Sequence, residues 1–484
     1  MSVLVVGGGI SGLAAALALG LAGVPTILVE ASERLGGKIG TEHVDGFTIE
    51  LGPDSMLTTR PAAVALAREV GLGEQLIGVS EPRTVQILRD GRPISLPDGV
   101  GLVLPTKVRP FVGTRLFSWP EKARMALDLV MPRVIAADDE SVGTFLRRRL
   151  GPALVDRLAG PLVGGIYGTA IDELSLDAVV PTLREAERTH RSLLLAGLAD
   201  GRRMRAAAAS QSGSRTGGTA HTGALVRTKP LGVFASLAGG LGDLIEATTR
   251  AIVATGAVSI SLGTRILSLE PAGAGGRAKL SDGRTLMFDA AIIAVPGPVA
   301  AVLVEQFAPR AAAEIATIPH SSSSVVTLAY PVTGFAARPI GHGLLIPASE
   351  GLPISALTWS SNKWPGRAPE GAVLVRAFLP DEPAAGRTPN DLVALARGAV
   401  ERLAGVVTSP EVVRVASYDG SMPRYTVGHL KRIDRVEREL AERPAIVLAG
   451  APYYGVGLPD CISGARAAAQ AVLARLGVSE KIPA

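Results

Sequence analysis

Three glycines near the start of the chain, Gly7, Gly9 and Gly12, fall at the G-x-G-x-x-G spacing that brings backbone against a pyrophosphate. Gly7 permits a tight turn, Gly9 admits the phosphates, and Gly12 lets a helix close on the strand before it. The helix N-terminus, with Gly8, Ile10 and Ser11, then faces the anion. Glu30, eighteen residues after Gly12, can accept from both hydroxyls of a ribose and would repel a 2′-phosphate, so NADP fits poorly. With 57 glycines in 484 residues, a bare match says little, and the competing reading is a glycine-rich turn that only packs. The apolar run Val3 to Val6 before the turn, the helix-forming LAAALALGL after it and the acid at the right distance decide for a bound dinucleotide, and hence for redox chemistry.

Other chemistries find less support. No Ser/His/Asp or paired-carboxylate constellation stands out. The six histidines lie far apart without zinc spacing, so no metal site is expected. Cys461 is the single cysteine. It excludes an internal disulfide, fits a reducing cytoplasm, and reads as buried packing because no His or Lys is placed to ionise it. A second G-x-G-x-x-G between strand and helix is missing; Gly273 to Gly276 precede a strand and read as a hairpin. That disfavours a disulfide reductase or an NADPH-dependent oxygenase and favours an oxidase using molecular oxygen. A net charge of +5 and 4% aromatic residues argue against nucleic acid as partner.

At 484 residues and 47% apolar, the chain is globular and long enough for two or three domains. Residues 3 to 24 carry no charge, yet no Lys or Arg precedes them and glycines interrupt them, so they read as a βα turn rather than a membrane span. Peripheral membrane contact and a homodimer stay open. Phe47, Ile49 and Leu51 alternate as a strand ended by Gly52 and Pro53, and residues 61 to 72 form an amphipathic helix. VQILRDGRPISLP is a hairpin turning on Asp90-Gly91. Residues 105 to 200 read as an inserted helical domain, with Ser118 and Ser141 as N-caps and Tyr167 among four glycines. Residues 201 to 224, with Arg202, Arg203, Arg205 and Arg215, read as a flexible linker. Five strands between 320 and 420 join the hairpin as a second, substrate-binding sheet comprising 83–104 and 306–420, with a helix from Asp391 to Ala404 over it. Segments 1–82, 225–305 and 421–484 form a discontinuous cofactor domain, closed by a strand from Ile446 to Ala449 and a helix starting near Gly457.

Arg34, Gly36 and Gly37 follow the acidic residue with a second glycine turn, which resembles the extended FAD signature of the flavin-containing amine oxidase superfamily. The runs GPDS (52–55), PLVGGIYGTAIDELSL (161–176), HRSLL (190–194), WSSNKWPGRAPEG (359–371), SMPRYTVGH (421–429) and GAPYYGVGLPDCISGARAA (450–468) resemble the porphyrinogen oxidases of late haem biosynthesis nearly end to end. GPDS with HRSL is similar to the bacterial branch acting on coproporphyrinogen III; protoporphyrinogen IX is the alternative substrate. An amine oxidase, a desaturase or a non-enzymatic flavin or porphyrin carrier are more distant readings.

The resemblance implies an α/β plus α fold: an FAD-binding, Rossmann-like, two-dinucleotide-fold domain with an inserted antiparallel-sheet substrate domain and a helical domain. It implies that Gly52, Pro53, Asp54 and Ser55 pass beside the flavin and that Ile266 meets the adenine by its backbone. Gly450, Ala451, Val456, Gly457 and Leu458 close the site, aiming a helix N-terminus at the flavin pyrimidine. Six electrons would leave the porphyrinogen in three two-electron rounds, oxygen becoming hydrogen peroxide, with the product passed to the next enzyme of the haem pathway. Arg60 is the candidate for substrate carboxylates, where the bacterial branch often carries a lysine; Lys107 and Arg109 are weaker candidates against an ordinary solvated charge. Tyr167 is a candidate pocket wall or a core tyrosine, and Asp54 a candidate site carboxylate or a turn residue.

Overall fold

The computed structural model describes residues 2–101, 103–133, 138–213, 231–443 and 445–478. Its first layer is a five-stranded parallel sheet ordered Val258–Ser261, Thr26–Val29, Val3–Val6, Ala290–Ile293 and Ile446–Leu448. The four residues Val3–Val6 are buried on both faces, the pattern of a central parallel strand. Helix Ile10–Leu21 has almost no polar face because helices Gly242–Ala254 and Leu458–Arg475 pack against it, so the alanines and leucines from Leu13 to Leu19 all stay dry. The sheet draws its strands from the beginning, middle and end of the chain.

A seven-stranded sheet forms the second layer, in the order Val412–Pro423, His320–Pro331, Ala372–Pro380, Ala356–Trp359, Gly343–Leu345, Val85–Arg89 and Arg92–Ser95. All its pairings are antiparallel except Gly343–Leu345 with Val85–Arg89. The expected hairpin does join this sheet, turning on Asp90 and Gly91 at φ 52° and 70°, the left-handed pair a two-residue turn needs. Helix Pro389–Ala404 covers it, started by a Thr388/Asp391 capping box.

Between these strands lies a helical body from Val108–Gly113 to Leu193–Gly213 around Phe145, Leu146, Leu158 and Leu174. Ser118 and Ser141 are N-caps, Ser118 with Glu121 in a capping box. Val155–Gly164 is a π-helix with Pro161 inside it, whose missing amide cannot serve an ordinary helical ladder.

The flexible linker expected at 201–224 is corrected in its first half: helix Leu193–Gly213 runs on through it. RRMRAAAA is a run of strong helix formers, and Gly201 lets the helix lie against the Thr106 backbone, where a Cβ would come within 2.3 Å of the carbonyl oxygen. Residues 214–224, with Arg215, lie outside the described residues.

Candidate active site

The two glycine turns at the C-terminal end of the parallel sheet interlock. Gly7 has φ 102°, and a Cβ on Gly12 would lie 1.8 Å from the Gly7 carbonyl oxygen, so helix and turn are in backbone contact. A Cβ on Gly9 would meet nothing within 4 Å, which leaves open space where phosphates approach. Helix Ile10–Leu21 begins there with no side-chain cap and no acid in its first turn, so its free amides face that space. Gly36 donates its amide to the Gly8 carbonyl at 2.8 Å, bringing the second turn alongside the first. Arg34 donates to the carbonyls of Gly37 at 2.7 Å and Ile39 at 2.9 Å, so it staples that turn. Glu30 accepts from the Gly8 amide at 2.6 Å and from the Ser32 amide and hydroxyl at 2.8 and 2.7 Å. It therefore shapes the turn as well as standing at the strand end where a ribose would bind.

From the far end of the chain, the 450–458 loop closes over this point, with the Cβ position of Gly450 3.7 Å from the Ser11 hydroxyl oxygen. Gly457 N-caps helix Leu458–Arg475 without a side-chain cap, giving a second free helix terminus. Ile266 is buried at the start of strand Ile266–Ala272. Cys461 is buried, and burial pushes its thiol up to about 11, so it packs.

Gly52 lies against Lys38, a Cβ being excluded at 1.9 Å from the Lys38 carbonyl oxygen, and Arg376 donates to the Gly52 carbonyl. Asp54 is not a free acid or base. Both its oxygens accept from Lys363 at 2.9 Å, Trp364 Nε1 donates at 3.2 Å, Ser55 donates at 2.9 Å, and Arg376 stands at 3.7 Å. Burial alone would raise its pKa, but Lys363 and Arg376 overcome it and hold the carboxyl well below its usual range. The candidate turn residue is thus a buried counterion tying the 52–55 turn to the second sheet. Lys38 is half-buried, its ammonium pushed down by desolvation while donating to the Ser421 carbonyl.

Arg60 and Tyr167 come together through a residue the sequence did not single out. Arg60 pairs with Asp460 in the first turn of helix Leu458–Arg475, its side chain half exposed. Burial pushes the Tyr167 phenol up to about 12, with Asp460 adding to that and Arg60 opposing it, which puts the three in one electrostatic neighbourhood. Tyr167 packs on Tyr425, ring centroids 5.7 Å apart, and Tyr425 stacks on His429 at 4.0 Å. The Tyr425 hydroxyl donates to the Ala451 carbonyl and accepts the Gly455 amide at 2.7 Å. Lys107 and Arg109 lie elsewhere: with Arg202 and Arg205 they line a cavity of about 350 Å³ that none of Arg60, Tyr167 or Asp54 reaches, and Lys107 pairs with Asp98 at 2.6 Å. Asp460, Tyr425, Lys363 and Arg376 were missed as roles. The first three stand inside the quoted runs, but nothing in a linear motif shows which residues meet across the fold. Among the described residues no cluster of acidic, His or Cys side chains fits a metal.

Residues 10–473 match the flavin containing amine oxidoreductase family. The chain belongs to that family. A coproporphyrinogen III oxidase of Propionibacterium freudenreichii subsp. freudenreichii is 43% identical over 481 residues, covering 97% of this chain and 90% of its own. Another, from Bacillus subtilis (strain 168), is 34% identical over 485 residues and 98% of both chains. The crystal structure of a provisionally named protoporphyrinogen oxidase from Exiguobacterium sp. 255-15 superposes with a TM-score of 0.83 at 31% identity, covering 98% of this chain and 99% of that one. The protein is a flavin oxidoreductase whose cofactor is FAD. The open space at Gly9, the two uncapped helix termini and Glu30 at the strand end fit that dinucleotide.

Proposed function

We propose that the protein oxidises coproporphyrinogen III to coproporphyrin III with molecular oxygen as acceptor, three oxygens becoming three hydrogen peroxides as six electrons leave the macrocycle. The observation that carries this reading is the 43% identity, over 97% of the chain, to a coproporphyrinogen III oxidase. Bound FAD supplies the two-electron acceptor chemistry. The chain's own part is to hold the pieces around it. Gly7 to Gly12, Gly36 and Gly37 take the pyrophosphate, and Glu30 takes the adenosine ribose. The 52–55 turn, fixed by Asp54 on Lys363 and Arg376, and the 450–458 loop, fixed by Tyr425, flank the ring. Arg60, half exposed beside Asp460 and Tyr167, meets substrate carboxylates at the mouth. In this reading 1–82, 225–305 and 421–484 carry the cofactor, and the second sheet and helical body enclose the macrocycle. No helix among the described residues is long and apolar enough to cross a membrane.

Anaerobic mixing of the FAD-loaded enzyme with coproporphyrinogen III should bleach the flavin absorbance, and admission of air should release fluorescent porphyrin and peroxide. Absence of bleaching with any porphyrinogen would overturn the reading. The Exiguobacterium protein's name keeps protoporphyrinogen IX as a second reading, and equal or faster rates on it would favour that substrate.

A further inference from the structure

The segment that leads from the second sheet into the helical body meets helix Leu193–Gly213 at a cavity of about 350 Å³. Two glycines let them come that close. A Cβ on Gly197 would lie 2.7 Å from the Pro105 carbonyl oxygen, and one on Gly201 would lie 2.3 Å from that of Thr106. With the helix seated there, Leu198, Arg202 and Arg205 share one face by their spacing and line the cavity, and residues 106–110 line it opposite them. Lys107 is placed by its own loop. Thr106 donates both its amide and its hydroxyl to the Gly99 carbonyl at 2.6 Å, and the Lys107 stem fills the space a Cβ on Gly99 would take.

The charge around this cavity is all of one sign. Lys107, Arg109, Arg202 and Arg205 line it, and no Asp or Glu among the described residues does. Lys107 pairs with Asp98 at 2.6 Å, but Arg109, Arg202 and Arg205 are exposed and have no hydrogen-bond or ion-pair partner among the described residues. Arg203, on the same helix but outside the cavity, is paired with Asp200 at 3.4 Å. The chain that follows the helix cannot supply the missing charge, because no acidic residue stands between Asp200 and Asp243 in the sequence. Like charges three apart on a helix repel, and a cleft lined by one sign of charge concentrates the opposite ion. The kind of anion follows from the donors. A carboxylate is planar and is satisfied by one guanidinium fork, whereas linked phosphates offer oxygens in several directions to cations converging from two sides. The volume stands at the low end of small-molecule pockets, roughly 300–1,000 Å³. We propose that this cavity binds a small di- or triphosphate, which clamps residues 106–110 to helix Leu193–Gly213. None of the glycine-turn residues, Arg60, Tyr167 or Asp54 lines it, so the site is separate from those of cofactor and substrate.

The experiment is calorimetric titration of the FAD-saturated protein with pyrophosphate and tripolyphosphate, with citrate as a carboxylate of comparable charge. Saturation with FAD keeps the probes out of the pyrophosphate seat at the glycine turns. Both phosphates should bind, more weakly as salt is raised, and citrate should be weaker by about tenfold. Arg202→Gln and Arg205→Gln should each weaken tripolyphosphate by about tenfold, the loss of one charge-assisted fork. Arg203→Gln removes the same charge from the same helix outside the cavity and should leave binding unchanged. All three side chains are exposed, so the fold is retained. Sedimentation with vesicles of phosphatidylglycerol and phosphatidylcholine separates a lipid surface from a free ligand. Citrate binding as tightly as pyrophosphate, equal weakening in Arg203→Gln, or attachment to vesicles without any binding of tripolyphosphate would overturn the proposal. Because the readout is binding and not turnover, its failure is separate from any failure of the porphyrinogen reading.

Discussion

Asp54 shows how a carboxylate in the 52–55 turn can matter without exchanging a proton. Its carboxylate faces Lys363, Trp364 and Arg376 in a nearly closed environment, its side chain 12% exposed. Asp54→Asn leaves two buried cations short of a counterion and should destabilise the protein by about 3–5 kcal/mol, read as a fall in denaturation midpoint. Because the folded pKa lies below the unfolded value of about 3.9, the native carboxylate contributes stability above that pH. That contribution is lost as pH falls through the folded value, and the asparagine variant should lack this acid-dependent part. Arg60 is the contrasting case, half exposed and paired with Asp460. Arg60→Ala should raise KM for coproporphyrinogen III by roughly tenfold with a smaller change in kcat, the loss of one charged hydrogen bond to a carboxylate. Arg60→Lys should recover most of that affinity, and an unchanged KM in the alanine variant would remove Arg60 from the substrate site.

At the scale of elements, the 450–458 loop depends on one side chain outside it. Tyr425 is 1% exposed, bonds the Ala451 carbonyl and the Gly455 amide, and gives its own carbonyl to the Ser175 amide at 2.7 Å, linking loop and helical body. Tyr425→Phe keeps the ring and loses both hydroxyl contacts, so the Kd for FAD, followed by flavin fluorescence, should rise about tenfold. His429 beside it is buried, and burial lowers its pKa from 6.5 to about 4. The unfolded chain then takes up a proton the folded one refuses, so stability should fall by about 3 kcal/mol as pH drops from 6.5 to 4. His429→Phe, which can keep the stack, should flatten that slope; a slope unchanged in the variant would assign it to other groups. These contacts were not legible in the sequence, although both residues stand in SMPRYTVGH. The glycine spacing, the Asp90-Gly91 turn and the alternation of Phe47 and Ile49 are local signals, and they placed their elements well. The helix through 201–213 was misread because glycine and serine around it outweighed an alanine run whose packing partner, the Thr106 backbone, is distant in sequence.

On the scale of the whole molecule, the parallel sheet sets Val3–Val6 between strands from positions 26–29 and 290–293, and adds Ile446–Leu448 at its edge. In the site proposed above, FAD meets the first turn, Ile266 and the 450–458 loop, and on that proposal it stabilises contacts that no single segment owns. Mass action makes this about 2.7 kcal/mol at a hundredfold excess over Kd. The consequence can be read at one end of the chain by a change at the other. In Gly12→Val the new Cβ would fall 1.8 Å from the Gly7 carbonyl oxygen, which forces the turn apart and removes the pyrophosphate seat. FAD added to the parent protein should slow proteolysis within 450–458 and in the neighbouring 160–176 segment, which reaches that loop through Tyr167 and Tyr425. Added to Gly12→Val, it should protect neither. Protection confined to the first forty residues would mean that the C-terminal loop does not share in the cofactor site, and the coupling drawn from Tyr425 would fall with it.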